Sequence, residues 1–147
     1  ASGQRKEGYI KALQRNRLKY DPSFIVNCDL TKEGSKAALE KLLKHKRKLT
    51  AIVSFNDYVS AFAIKHALKM GIKINEEIEF VSFANSPITE YMEFPPLASV
   101  EQFPAIQGQK AIDTLLDIIK NDDNGEEQAF YKIVIESELM ENVKTLS

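Results

Sequence analysis

The sequence has no tryptophan, only one cysteine, and no apolar run long enough to cross a bilayer. Each absence closes off a class of protein. Cys28 alone can close no internal disulfide, so a disulfide-stapled scaffold is excluded, and a reducing cytoplasm is the expected compartment. A spanning helix needs roughly 18 consecutive apolar residues, and Ala1-Ser2-Gly3-Gln4-Arg5 lacks a hydrophobic signal core, so no membrane association is expected. A charge excess is missing too. Against 20 Lys plus Arg stand 21 Asp plus Glu, a net charge of −1, and no global positive field would hold this chain on phosphates. The six glycines are scattered singly, which leaves neither a G-x-G-x-x-G nor a P-loop to cradle a nucleotide. With His45 and His66 as the only histidines and no G-x-S-x-G elbow, neither a hydrolase triad nor a His-based metal site assembles. No cofactor, no metal and no enzymatic activity are expected.

What is present suits one globular domain: 147 residues, 44% apolar and 28% charged. The chain starts without Met, and its first strong signal is a helix rather than a strand, so it reads as a piece of a longer protein. Apolar Tyr9, Ile10, Ala12 and Leu13 share one face of a helix over 4–17, which Asp21-Pro22 ends. Ser23 to Cys28, rich in branched and aromatic residues, predicts a first strand. Thr31 is placed to cap a second helix with Glu33 in its first turn. Thr50 to Phe55 is a nearly continuous apolar run, as expected of a parallel strand covered on both faces. A third helix over 57–70 stops at Gly71, and Ile78 to Phe83 predicts the next strand. Ile88 to Phe94 is short and amphipathic, Leu97 to Glu101 extended, and Pro104 opens a last long helix through Lys120. Asn121 to Gln128 reads as a polar loop and Phe130 to Ile135 as a final strand. The alternation predicts an α/β fold, three-layer α/β/α with a mainly parallel sheet.

Several reactive-looking groups have plain structural roles. His66, one turn from Phe62 and Met70, reads as a partly buried histidine. Lys44 to Lys48 complement a helix C-terminus and form a solvated face. The acidic groups Glu76, Glu77, Glu79 and Asp122, Asp123, Glu126, Glu127 fall in polar loops. Cys28 reads as a small apolar residue at a strand end.

In an open parallel sheet, ligands gather at the carboxyl ends of the strands. That rule selects Asp29 and Leu30, Asn56 and Asp57, and Ala84, Asn85 and Ser86, with Arg5 close by. A carboxylate, amides and a guanidinium fork suit hydroxyl groups and so resemble sugar recognition without catalysis. Asp57 is equally a candidate N-cap of the third helix, and Asn85-Ser86 a candidate turn.

The ordered pieces Arg5-x-x-Gly8-Tyr9-x-x-Ala12-Leu13, Asp29 with Glu33-Gly34, Thr50 to Asp57, Ala61-x-x-Ile64-x-x-Ala67-Leu68-x-x-Gly71, Pro95-Pro96-Leu97-x-x-Val100-x-Gln102 and Gly108-x-x-Ala111-x-x-x-Leu115-Leu116 run through nearly the whole chain. Together they resemble the second half of the effector-binding core of the LacI/GalR transcription regulators. The resemblance implies one lobe of a type I periplasmic-binding-protein-like fold, with 1–101 and 129–147 mostly second lobe. It assigns 102–128 to a crossing segment and a helix packed on a first lobe outside this chain. It further implies a small-molecule effector, a carbohydrate, held between the lobes, with Arg5 on its hydroxyls, Asn56 and Asp57 at the cleft floor and Gln102 on a crossing segment; Asp29 and Asn85, selected by the strand-end rule, complete the expected site. A homodimer follows, with operator DNA bound by an N-terminal helix-turn-helix domain outside the chain; the apolar segment Tyr91, Met92, Phe94 and Pro95 is a candidate for the partner surface and equally for a loop packed on its own lobe. Two departures from the family pattern stand out. Leu30 occupies a place often held by a stacking aromatic, and Ala84 a place often held by Asp, so the effector is expected to differ from lactose or galactose. A periplasmic sugar-binding protein of a transport system is the alternative, since it shares the two-lobe fold.

Overall fold

The computed structural model describes residues 2–123 and 132–142. Helix α1 covers Ser2–Arg15, α2 Lys32–Leu43, α3 Asp57–Lys69 and α4 Pro104–Asp123; strands β1 Ala51–Val53, β2 Glu79–Phe83, β3 Ala98–Glu101 and β4 Glu138–Glu141 form one sheet. Its order is β1-β2-β3-β4, parallel from β1 to β3 and antiparallel between β3 and β4. The α/β class is as expected, and the sheet is mixed.

Local chemistry sets the helix ends. Thr31 Oγ1 accepts the Gly34 N–H at 3.0 Å and starts α2. Asn56 Oδ1 accepts the Val59 N–H at 2.9 Å and starts α3, so the cap is Asn56 and Asp57 is the first helical residue. Two helices close in the same way. At the end of α3, Gly71 takes φ +78° while Ile72 N–H reaches back to Ala67 O at 3.1 Å. At the end of α1 the left-handed residue is Arg17, φ 57°, and Leu18 N–H reaches Leu13 O at 2.8 Å. α1 thus ends well before Asp21-Pro22, which instead opens a single 3-10 turn over Pro22–Phe24.

That turn overturns the predicted first strand: Ser23 to Cys28 makes no ladder, because its first two residues belong to the turn. As a consequence β1 is the sheet edge, and Ala51 and Val53 are exposed rather than covered on both faces. The core lies between α2, α3 and the sheet: Leu39, Ala63, Ile64, Ala67, Ile74, Ile78 and Phe80, with Leu43, Leu49 and Ile52 against them. Each large member stabilises the fold by about 1.5–3 kcal/mol through removal from water. The final strand is also displaced. The described part of Phe130 to Ile135, from residue 132, is not strand, and β4 forms at Glu138–Glu141. The remainder of that segment, and residues 124–128 of the expected polar loop, lie outside the described residues; 121–123 extend α4.

α4 contrasts with α3. Its apolar residues Ile112, Leu115, Leu116 and Ile119 are about half exposed. Ile133 and Ile135 run beside its Ala111 and Thr114.

Candidate functional site

The carboxyl ends of β1 and β2 present Phe55 and Phe83 to α1. Arg5, one turn into α1, projects between them: its guanidinium carbon lies 4.7 Å from the Phe55 ring centroid and 4.2 Å from that of Phe83. One Nη1 donor goes to Phe55 O at 2.7 Å. Among the described residues this is the one hydrogen bond of the guanidinium, which has further N–H donors. An adjoining cleft of about 260 Å³ is lined by Arg5, Tyr9, Phe24, Val26, Ser54 and Phe83 among others. Leu30 brings no aromatic ring here, and the rings at the strand ends are Phe55 and Phe83, each with the Arg5 guanidinium over it. The reading along the chain missed this pair because each is the last apolar residue of a strand run, indistinguishable there from core.

Asn56 caps α3 through its Oδ1. Asp57 behaves differently. It is 0% exposed, and its oxygens take the Ser86 N–H at 2.6 Å, the Ser99 hydroxyl at 2.8 Å and the Ser82 hydroxyl. The carboxylate at the start of α3, where the helix dipole favours it, thus fastens β2, β3 and the turn after β2 to one point. Ser82 and Ser99, both fully buried, are the donors that spacing did not single out. With its acceptors occupied, Asp57 positions its neighbours rather than offering itself to a ligand.

Asn85, at φ 46°, donates its backbone N–H to Ser99 Oγ at 2.9 Å and its Nδ2 to Glu101 Oε2 at 3.0 Å. The other Glu101 oxygen accepts the Gln102 and Phe103 N–H groups, each at 2.7 Å. The Asn85 amide, with the Phe103 and Gln102 N–H groups, holds the Glu101 carboxyl below its usual range. Gln102 sits on the chain leaving β3, its carbonyl accepting from Gln107 at 2.5 Å. Asp29 is exposed, and its Oδ1 accepts the Thr31 hydroxyl at 2.6 Å and the Thr31 N–H at 3.0 Å, which lower its pKa. Gly34 leaves room for this carboxylate: a Cβ there would run into Asp29 Oδ1. The turn chemistry accounts for Asp29.

The surface expected to meet a partner subunit is smaller than the sequence suggests. Tyr91 is 87% exposed, but Met92 and Phe94 pack against the chain's own core and Pro95 is buried. The 3-10 turn over Pro87–Tyr91 accounts for this, since it points Tyr91 outward and delivers the following residues inward. Tyr58, in the first turn of α3, is also half exposed. His66 is partly buried and meets Glu40 Oε1 at 3.0 Å. Among the described residues, no three His, Cys, Asp or Glu converge as a metal site, and no helix is long and apolar enough to cross a membrane.

This arrangement lies at the carboxyl ends of the parallel strands of an α/β fold. The chain belongs to the periplasmic binding protein-like domain family, which it matches over residues 1–140, in the form carried by LacI/GalR-type regulators. It is similar to the HTH-type transcriptional repressor CytR of Escherichia coli K12, 31% identical over 113 residues, 77% of this chain and 33% of the repressor. Among solved structures it is similar to a LacI-family regulatory protein of Chloroflexus aggregans, 31% identical with TM-score 0.78, over 92% of this chain and 47% of that one. It is also similar to the transcriptional regulator CelR in complex with cellobiose, 26% identical with TM-score 0.82, over 92% of this chain and 40% of that one. The chain spans about a third of the length of the curated relatives it matches.

Proposed function

We propose that this chain is the second lobe of the effector-sensing and dimerisation core of a cytoplasmic DNA-binding regulator, one that binds and does not catalyse. The observation that carries the reading is the Arg5 guanidinium held across Phe55 and Phe83 at the strand ends, with Asn56 next in the chain after Phe55. Apolar ring faces flanking hydrogen-bond donors fit a carbohydrate, which presents C–H faces and hydroxyl edges at once. A similar regulator whose structure holds cellobiose supports a sugar-like effector. Arg5 and Asn56 contact the effector directly, Gln102 and Asp29 border it, and Asp57 with Asn85 hold the strand ends in place. Residues 1–101 and 129–147 form mostly this lobe, and 102–128 carry the chain across to the first lobe, which covers the apolar face of α4. An effector that prefers one arrangement of the two lobes shifts the affinity of an N-terminal DNA-binding domain for a palindromic operator through a linked equilibrium. Tyr91 and Tyr58 are the apolar contacts offered to a second subunit.

Selection of duplexes from a random pool by the full-length protein tests this reading. The expected result is a palindromic site whose retention in a gel changes on adding a carbohydrate. A full-length protein that enriches no sequence, and is instead exported and retains sugar, would overturn it in favour of a transport receptor.

A further inference from the structure

At the opposite end of the sheet from Arg5, two loops distant in sequence are fastened together. Asp21, after α1, meets Arg47 Nη2 at 2.8 Å, and Ser23 Oγ lies 2.6 Å from His45 Nε2. The Phe24 and His45 rings are 4.1 Å apart, with the Arg47 guanidinium 5.4 Å above Phe24. The end of α1 and the end of α2 therefore form one pole, at the amino end of β1.

This pole concentrates charge that the overall balance hides. Residues 1–48 hold 13 of the 20 cations but only five of the 21 anions. Arg47 and Asp21 neutralise each other. Arg15, Arg17, Lys19, Lys44, Lys46 and Lys48 remain, all exposed and none with an ion-pair partner among the described residues. Complementing the C-terminal dipoles of α1 and α2 accounts for one or two cations at each helix end, not for six around one junction. Such a cluster raises a local positive potential of several kT, which attracts an anionic partner.

Two further features give that partner a protein character. Arg17 occupies the left-handed position that Gly71 fills in the equivalent closure of α3, so a cation stands where the backbone favours glycine. Next to it Leu18 is 58% exposed, an apolar side chain between two cations. Beside Lys46, Arg47 and Lys48 there is also a shallow cleft of about 290 Å³ floored by Leu49 and Ile72, with Glu77 on its far wall. A phosphate backbone has no use for Leu18 or an apolar floor. An acidic segment carrying apolar side chains uses both.

We propose that this pole docks an acidic protein segment, with Leu18 as its apolar contact and Arg17, Lys19, Lys44 and Lys48 as its charge partners. The cations of the pole lie at the end of α1 away from Arg5, although Phe24 and Leu49 also line the cleft beside Arg5, and the proposal stands whether or not the effector is a sugar.

The test is fluorescence anisotropy with the full-length protein and a labelled peptide of alternating Glu and Leu, with polyglutamate and a random-sequence duplex as controls. Replacing Arg17, Lys19, Lys44 and Lys48 together by Gln, all at exposed positions, is expected to weaken the Glu-Leu peptide at least tenfold. Leu18→Ser should weaken that peptide several-fold and leave polyglutamate unchanged, and Arg17→Gly should weaken both. Circular dichroism establishes that each variant is folded. Equal peptide affinity in all the proteins would overturn the proposal. So would duplex binding that falls with the four Gln substitutions but ignores Leu18, which would make the pole a nucleic-acid surface. A mass by light scattering that rises with concentration in the parent and not in the four-Gln variant would overturn it in favour of a second copy.

Discussion

α3 and α4 carry the same kind of signal, an apolar stripe at helical spacing, and meet opposite fates. α3 buries Ala63, Ile64 and Ala67 against α2 and β2, whereas α4 leaves Leu115 51% exposed along with its neighbours. A helical stripe states that a face is to be covered; it does not state what covers it. In α3 the cover comes from this chain. In α4, under our reading, it comes from the first lobe.

The sharpest way to break that contrast is to disturb the point where α3 joins the sheet. Asp57→Ala leaves three donors without their acceptor, and a loss of at least about 3 kcal/mol is expected. Chemical denaturation reads it directly, and a loss under 1 kcal/mol would mean that the serines find other partners. Ile64→Ala in α3 should cost about 2–5 kcal/mol by cavity formation. By contrast, Leu115→Ser in α4 should cost under about 0.5 kcal/mol in the 147-residue chain, because the side chain is already wet. In the full-length protein the same change should cost about 1–3 kcal/mol, and equal costs in both settings would contradict a cover from outside the chain.

The two helix closures supply a gentler comparison. Arg17→Gly relieves a left-handed arginine and should stabilise the chain by about 1 kcal/mol, raising the melting temperature. Acid should act more weakly still. Hydrogen bonds from Thr31 lower the pKa of Asp29, and hydrogen bonds from Asn85 lower that of Glu101. The stability these carboxylates supply is present above the ordinary carboxylate range near pH 4 and is lost as pH falls through their lowered values. Thr31→Val should therefore flatten the decline of melting temperature on the acid side.

The helices, the caps at Thr31 and near Asn56, and the strands around residues 52, 80 and 99 were legible because periodicity and capping are local signals. Ser23 to Cys28 misled because its composition is that of a strand, while Asp21-Pro22 commits the first residues to a 3-10 turn. β4 was missed because Glu138-Leu-Met-Glu has no alternation; it forms on the exposed edge of β3, a long-range condition. At the candidate site, the rule about carboxyl ends found the neighbourhood of Arg5 and Asn56. It did not separate a residue facing solvent from one serving the fold, and so it grouped Asp57 with them. That distinction depends on Ser82 and Ser99, which lie on other strands. The packing of half-buried Met92 and Phe94 against the core was hidden for the same reason.

The most direct test of the account is titration calorimetry of the full-length protein against a panel of mono- and disaccharides, repeated with Arg5→Ala and Asn56→Ala. The account predicts that a carbohydrate binds and that each substitution weakens it by about 1–3 kcal/mol through lost hydrogen bonds, with both variants still folded and Asn56→Ala losing about 1 kcal/mol of stability with its helix cap. A carbohydrate that binds both variants as tightly as the parent, or a panel in which none binds, would contradict it.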